Sequence, residues 1–153
     1  MCDTQTHFIL AASVSRGPSN DSPQFPLCLP PAAARLRLLR VLADAAFDNE
    51  EHHRVCREDL GIAECIIPVQ PRNTTRWPET PYRREMKRAF PKERYGQRWQ
   101  VESSISRLKR QITSSLSSRT ESNQAAEALL IVLTYDLMIV LLYFAPDSLS
   151  LAA

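Results

Sequence analysis

The chain has 153 residues, 44% of them hydrophobic and 24% charged, with a formal net charge of +2 at pH 7. This composition is typical of one soluble globular domain with a substantial core. The four cysteines form no CxxC pair and have no ligand-like spacing to the three histidines, which indicates neither a zinc site nor a disulfide scaffold. The first residues lack the features of a signal peptide, so we expect a cytoplasmic protein with reduced, free cysteines.

Strands and helices are predicted to alternate over the first half of the chain. Residues 7–14 form a short apolar run that favours a strand, and a helix is expected over residues 31–40. Residues 41–44 form a second short apolar run that ends in Asp44. Residues 50–60 are expected to be a helix that Gly61 ends, with surface histidines at 52 and 53, and residues 62–69 a third strand.

Asp44 is the first residue whose position suggests chemistry. An aspartate at the carboxyl end of a buried strand lies where open α/β sheets place their ligands. An aspartate that caps a helix or forms a turn would give the same pattern. The local sequence leaves both interpretations open.

Residues 70–81 are polar and rich in proline, which predicts an exposed connection. The window from Tyr82 to Arg110 then contains ten Lys or Arg residues against three Glu, so it carries a charge of +7. Its aromatic side chains are Tyr82, Phe90, Tyr95 and Trp99. Basic residues beside aromatic ones are typical of contact with nucleic acid, although a solvated charged face is the alternative.

A final helix is expected over residues 122–144. The segment from Ala128 to Ala145 is almost wholly apolar and near the lower length limit for crossing a bilayer, but Asp136 lies at its middle. We therefore expect a buried helix and no membrane partner. The order of elements indicates an α/β layered domain with a partly parallel sheet.

Four polar residues of different chemistry are predicted to share one stripe of a helix that runs from Tyr95 to about Ser117. At about 100° per residue, and with Tyr95 at zero, Arg98 falls near 300°, Glu102 near 340° and Lys109 near 320°. A solvated pair of Arg98 and Glu102 at i,i+4 would give the same pattern.

Together, Asp44 and this later helix resemble the DDE transposases of bacterial insertion sequences, in the subset with a Tyr-(2)-Arg-(3)-Glu-(6)-Lys signature. All four signature residues, Tyr95, Arg98, Glu102 and Lys109, occur at those spacings. The flanking text also matches, including Asp3-Thr-Gln-Thr-His7, Leu42-Ala43-Asp44 and Tyr82-Arg83-Arg84. The likeness extends from about Asp3 to about Leu142.

The resemblance implies an RNase H-like α/β fold that here lacks its first strand or strands. It places a partial catalytic domain at residues 1–145, with an insertion at about 69–90, and a C-terminal tail at 146–153. In that family three carboxylates hold two divalent ions, Mg²⁺ or Mn²⁺. Asp44 corresponds to the second acid and Glu102 to the third, as catalytic and metal-binding residues. Tyr95, Arg98 and Lys109 would bind DNA.

Departures from the family pattern bear on activity. The family's first acid lies on a strand upstream of residues 7–14, which implies an incomplete two-ion site and a chain that is inactive alone. Ala46 stands where glycine is usual, and Leu133-Thr-Tyr135-Asp136 where the family tends to have His-Asn.

The implied function is metal-dependent DNA cleavage and strand transfer at insertion-sequence ends and target DNA. One alternative is a non-catalytic DNA-binding or regulatory fragment that forms homo-oligomers or pairs with full-length transposase. A marginally folded chain without function is another.

Overall fold

The computed structural model describes residues 1–15, 21–70 and 77–144. The chain forms two compact units. We call Met1–Gly17 with Gln100–Ala153 the terminal unit, and Pro18–Trp99 the central unit.

A small parallel sheet lies at the centre of the central unit. Strand β1 (Arg40–Leu42) pairs in parallel with β2 (Glu64–Ile66), and Val41 lies opposite Cys65. Parallel strands need a crossover connection, which helix α2 (Glu50–Arg54) and a π-helical turn (Val55–Asp59) provide. The central unit is therefore a mixed α/β arrangement, compatible with the predicted class.

The first helix of the central unit, α1, spans Phe25–Arg35 and not the predicted residues 31–40. The predicted start lies at the pair Pro30-Pro31, because proline suits the first turn of a helix. In the structure Phe25, Leu29 and Ala32 form a buried face at helical spacing, and both prolines are accommodated inside the helix. Burial of this apolar face accounts for the earlier start.

The helical segment between the strands ends where the sequence predicts. Gly61 has φ +62°, the left-handed conformation that glycine adopts without steric cost. The backbone N–H of Ile62 donates to the carbonyl of Cys56 at 2.9 Å, which closes this end of the segment.

The prediction that His52 and His53 lie on the surface is wrong. Both are buried: His52 stacks on Phe25 with ring centroids 4.5 Å apart, and its Nδ1 lies 2.8 Å from the carbonyl of Phe47. His53 packs beside Tyr82 at 6.0 Å. The prediction considered only the polarity of histidine, whereas the flat face of an imidazole ring can also pack against aromatic side chains.

The terminal unit begins with a turn where a strand over residues 7–14 was predicted. Its pairing, within the described residues, is a single antiparallel bridge between Cys2 and Ile9. The Asp3 carboxylate accepts from the N–H of Thr6 at 2.8 Å, and His7 has φ +66°, so the chain reverses direction here. The apolar run therefore follows a turn over residues 4–6, and only Ile9 of the run pairs as in a strand among the described residues.

Helix α6 (Glu121–Phe144) confirms the predicted final helix, but its expected burial is wrong. Tyr135 and Ile139 are fully buried, whereas most of its leucines are about half exposed. Among the helices that the structure describes, α6 is the one with the length and apolar composition that a bilayer span requires, over Glu121–Tyr143. One such helix is weak evidence, since core helices of soluble proteins pass the same test.

The predicted helix from Tyr95 to about Ser117 is divided. Helix α3 (Pro81–Arg88) precedes α4 (Lys92–Tyr95), a 3₁₀ turn (Gly96–Arg98) follows, and α5 (Trp99–Gln111) continues the chain. Tyr95 and Arg98 therefore lie before the helix that carries Glu102 and Lys109.

Candidate nucleic-acid interface

Asp44 lies two residues after the end of β1, at the carboxyl end of the parallel pair. The N–H of Ala43 still donates to Ile66 at 3.2 Å, so the pairing extends to the residue before Asp44. One carboxylate oxygen of Asp44 accepts from the N–H of Ala46 at 2.9 Å and caps a 3₁₀ turn (Ala45–Phe47). Both interpretations of the sequence thus apply: Asp44 is a cap, and it lies at a strand end.

Arg98 approaches Asp44 within the central unit. Its Nη1 lies 4.0 Å from Oδ2 of Asp44, and both side chains are partly exposed. The guanidinium carbon of Arg98 also lies 5.9 Å from the centroid of the Tyr95 ring, which in turn makes an edge contact with Phe90 at 5.0 Å. The Arg98 guanidinium thus lies within reach of both the Tyr95 ring and the Asp44 carboxylate.

Glu102 and Lys109 belong to the terminal unit. Both are exposed on α5, and Ser104 between them is buried. Ser104 Oγ donates to the carbonyl of Gln100 at 2.9 Å and lies 3.0 Å from Nδ1 of His7. The contact with His7 fixes one face of α5 to the N-terminal turn, so the acidic and basic side chains occupy exposed positions of an anchored helix.

Five basic residues of α3 and the start of α4 divide into two groups. Arg83 and Arg84 are used inside the central unit: Arg83 pairs with Asp48 through two contacts of 2.7 Å, and Arg84 donates to the carbonyl of Pro78 at 3.2 Å. Side chains of the second group, Lys87, Arg88 and Lys92, are exposed on α3 and α4. The side chains of this second group are placed where they could contact phosphates.

Asp48 is an important residue that the sequence did not single out. Its side chain is 2% exposed, and it accepts from Arg83 and from the N–H of Gln70 at 2.9 Å. Glu50 acts similarly, accepting from the N–H groups of Tyr82 and Arg83 at 2.9 and 3.0 Å. Both carboxylates are far along the chain from their partners, so no local pattern identifies them.

These contacts change the acidity of Glu50. Burial raises the pKa of its carboxyl, but the amides of Tyr82 and Arg83 stabilise the ionised form, and the net pKa lies below the usual value of 4.5. Glu50 thereby also provides negative charge at the N-terminus of α3, where unpaired N–H groups converge.

Asp44 and its neighbours do not by themselves form a two-ion metal centre. In the part of the chain that the structure describes, no three His, Cys, Asp or Glu side chains are grouped to hold a metal ion. Asp44 supplies a single carboxylate, and the adjacent Arg98 cation disfavours a second positive charge there. Hard divalent ions take several oxygen ligands, so further carboxylates are needed beside Asp44.

The chain matches the family described as Transposase DDE domain over residues 1–139. No match was found among curated proteins or among solved structures. The family match covers most of the sequence, and the chain belongs to the DDE transposase domain family.

Membership confirms the resemblance to insertion-sequence transposases. The family is one of DNA transposition, so its partner is DNA, and its members typically use divalent metal ions. The structure brings Asp44, Arg98 and Tyr95 together in the central unit, while Glu102 and Lys109 are positioned by α5.

Proposed function

We propose that this chain supplies part of the catalytic centre of a DDE transposase with an RNase H-like fold. Asp44 and Glu102 act as the second and third acids, and as ligands for Mg²⁺ or Mn²⁺. The observation that carries the proposal is the approach of Arg98 to Asp44 at the carboxyl end of the parallel strands. Ligands of open α/β sheets bind at that edge.

The DNA-contacting roles follow from side-chain chemistry. Arg98 has a planar fork that matches a phosphate, and the Tyr95 ring supports it from one side. Lys109 is an exposed point charge in the last turn of α5. We assign these three residues to the phosphates that flank the bond to be cut, where they fix the DNA without reading its sequence.

Activity requires more acids than this pair. DDE chemistry uses three carboxylates, and a two-ion site that lacks one ligand loses metal affinity severely. We therefore propose that these 153 residues alone bind DNA in the cytoplasm but do not cleave it. The partial catalytic domain is proposed at residues 1–145, with an insertion at about 69–90 and a tail at 146–153.

A nicking assay tests this proposal. The purified chain is incubated with supercoiled plasmid that carries insertion-sequence ends, in Mg²⁺ or in Mn²⁺. We expect no nicked product above the level given by the Glu102→Gln variant. Robust cleavage by the wild-type chain would overturn the proposed inactivity. If Glu102→Gln abolished this cleavage and the control Glu121→Gln did not, the result would support the role of Glu102.

A second candidate function is a non-catalytic regulator that occupies transposase DNA or pairs with full-length transposase. The exposed group of Lys87, Arg88 and Lys92 favours it, because these cations need no metal to bind phosphate. Such a fragment would compete with an active enzyme for the same DNA ends.

Salt-dependent DNA binding tests both candidates. Anisotropy titrations against a labelled duplex should give an affinity that falls steeply with salt. Replacing Lys87 and Arg88 by Gln should reduce the slope of log K against log salt by about 2. The matched control replaces the exposed Arg37 and Arg119 by Gln, with the same loss of charge elsewhere. Absence of binding at low salt, or equal effects of the two variants, would contradict the assignment.

A further inference from the structure

Two arginines of one short segment reach opposite ends of the parallel strand pair. Arg94 lies on α4 and donates to Oε1 of Glu64, the first residue of β2. Arg98 ends the 3₁₀ turn after α4, and its Nη1 lies 4.0 Å from Oδ2 of Asp44, beyond the end of β1. Because the strands are parallel, the 94–98 segment has one contact at the start of the pair and one at its end.

Glu64 lies between two arginines that belong to different elements. Its Oε2 accepts from Nε of Arg40 on β1, and its Oε1 accepts from Nη1 of Arg94 on α4. The Glu64 side chain is 28% exposed, so solvent and salt screen these contacts only in part. The Arg40 hydrogen bond, together with the charge of both arginines, lowers the pKa of the Glu64 carboxyl below its usual value of 4.5. Glu64 is therefore ionised at neutral pH and joins α4 to the sheet.

Helix α4 has four residues, too few to be stable by itself, so its position depends on its contacts with the rest of the central unit. The aromatic contact of Tyr95 is with a residue just before α4 and does not reach the sheet. The 4.0 Å separation of Arg98 and Asp44 exceeds the length of a hydrogen bond. Of these three contacts, the charged hydrogen bond of Arg94 with Glu64 is the one that attaches the segment to a strand.

We propose that Glu64 is a positioning residue for the binding of DNA phosphate: through Arg94 it holds the 94–98 segment on β2, which keeps Arg98 at the edge of the sheet. The proposal rests on the phosphate contact of Arg98 in the proposed function. Glu64 itself contacts no phosphate, since its carboxylate repels one. Its effect on DNA binding is exerted through the arginine that it positions indirectly.

The sign of the effect separates this role from that of an ordinary surface ion pair. Removal of a carboxylate that only lies near bound DNA reduces the repulsion of phosphates and should raise the affinity. Removal of a carboxylate that positions a phosphate-binding arginine should lower the affinity, although the chain becomes more basic.

Fluorescence anisotropy with a labelled duplex, in EDTA and at low salt, compares Glu64→Gln with Glu93→Gln. Glu93 is exposed on the same helix, next to Arg94 in sequence, so its substitution makes the same change of charge. We expect Glu64→Gln to bind DNA about fivefold more weakly than the wild type, and Glu93→Gln to bind at least as tightly as the wild type. An affinity of Glu64→Gln equal to or above that of the wild type would overturn the proposal.

Salt dependence supplies a readout that a merely structural role would not move. Each phosphate contact contributes about 0.9 to the slope of log K against log salt. Glu64→Gln removes no cation, yet its slope should fall by about 0.9, to the slope of Arg98→Gln, because Arg98 is no longer held at its phosphate. A slope equal to that of the wild type would overturn the positioning role.

A double variant tests whether Glu64 acts through Arg98. In the Arg98→Gln background, Glu64→Gln should cause no further loss of affinity, because the positioned side chain is already absent. A further loss as large as that in the wild-type background would overturn the proposal and indicate a general effect on folding. Urea unfolding verifies that each variant is folded under the conditions of the assay.

Arg94→Gln tests the same link while it keeps the pair of Arg40 and Glu64. It should lower the affinity as Glu64→Gln does, and the double variant Arg94→Gln/Glu64→Gln should be no weaker than either single variant. Additive losses would overturn the link.

Failure of this proposal differs from failure of the proposed function. A wild-type chain that does not bind the duplex at low salt would contradict the proposed function and the role of Glu64 together. DNA binding that Arg98→Gln weakens but Glu64→Gln strengthens would contradict the positioning role alone.

Discussion

The Arg98 guanidinium lies 4.0 Å from the Asp44 carboxylate, at the edge of the sheet where β1 ends. Both side chains are partly exposed, so the pair contributes little to stability. Its main effect is electrostatic, because each charge reduces the field of the other. A DNA phosphate that approaches Arg98 therefore also meets the negative charge of Asp44.

Asp44→Asn should tighten DNA binding in the absence of divalent ions. The substitution removes repulsion between the carboxylate and a phosphate held by Arg98, and the amide oxygen can still accept from Ala46 and keep the cap. We expect about a threefold gain in affinity at low salt, which corresponds to less than 1 kcal/mol. Fluorescence anisotropy with EDTA present measures it.

The control for Asp44 is Asp21→Asn, which makes the same change of charge at an exposed position away from Arg98. It should have a smaller effect. The double variant Asp44→Asn/Arg98→Gln should lose the gain. An equal gain for Asp21→Asn would show that total charge, and not the Arg98 contact, controls affinity.

Asp48→Asn should destabilise the central unit by about 3 kcal/mol. The carboxylate is almost fully buried and holds Arg83 through two contacts, and an amide would leave the arginine without its ionic partner. The urea midpoint should fall with an unchanged slope. Glu51→Gln, which removes an exposed i,i+3 partner of Arg54, should leave the midpoint unchanged. Equal midpoints for wild type and Asp48→Asn would refute a structural role for the pair.

The pair of Asp48 and Arg83 also shows what the sequence could and could not predict. The positions of β1 and β2, the cap at Gly61 and helix α6 follow from local patterns, because they depend on neighbouring residues, although both strands are shorter than predicted. The role of Arg83 depends on a residue distant in the chain, so charge alone groups it with the DNA-binding cations. Nothing in the neighbourhood of either residue indicates that contact.

The candidate site, too, could be predicted from the sequence only in part. The spacing of a family signature singled out Tyr95, Arg98, Glu102 and Lys109 in the sequence, and their roles at the site stay a prediction. The same spacing predicted one helix, whereas α4, a 3₁₀ turn and α5 carry these residues. The exposure of α6 was also not predicted. The sequence shows that the helix is apolar, but not which other residues cover its surface.

Gly61→Ala should destabilise the central unit by about 1–2 kcal/mol. Gly61 has φ +62°, and a methyl group at its Cα would meet no atom within 4 Å, so the cost is that of the backbone conformation alone. Gly96→Ala is the matched control: its surroundings are equally open, but its φ is −52°. The control should be neutral or stabilising by about 0.4–1 kcal/mol. Urea unfolding measures both, and equal losses would contradict the backbone explanation.

Asp136→Asn should stabilise the terminal unit at neutral pH. Burial raises the pKa of the Asp136 carboxyl above its usual value of 3.8, and the Ile9 N–H only partly opposes this shift. The native state therefore binds the proton more tightly than the unfolded state does. The stability from this group is fully present below pH 3.8 and is lost as the pH rises through the raised pKa. An asparagine accepts the same hydrogen bond without a charge to desolvate, so its advantage should appear as the pH rises from about 4 to 7.

Thermal unfolding of the Asp136→Asn variant and the wild type between pH 3 and pH 7 measures this advantage. Glu127 provides the contrast, because the backbone N–H of Ser117, the hydroxyl of Ser118 and its backbone N–H lower the pKa of the Glu127 carboxyl below 4.5. The stability that Glu127 contributes is present above that value and is lost as the pH falls, so Glu127→Gln should show its deficit at neutral pH and lose it in acid. Opposite pH trends for the two variants are the expected result. A melting temperature of Asp136→Asn that stays equal to that of the wild type throughout would show that burial of the carboxylate costs nothing.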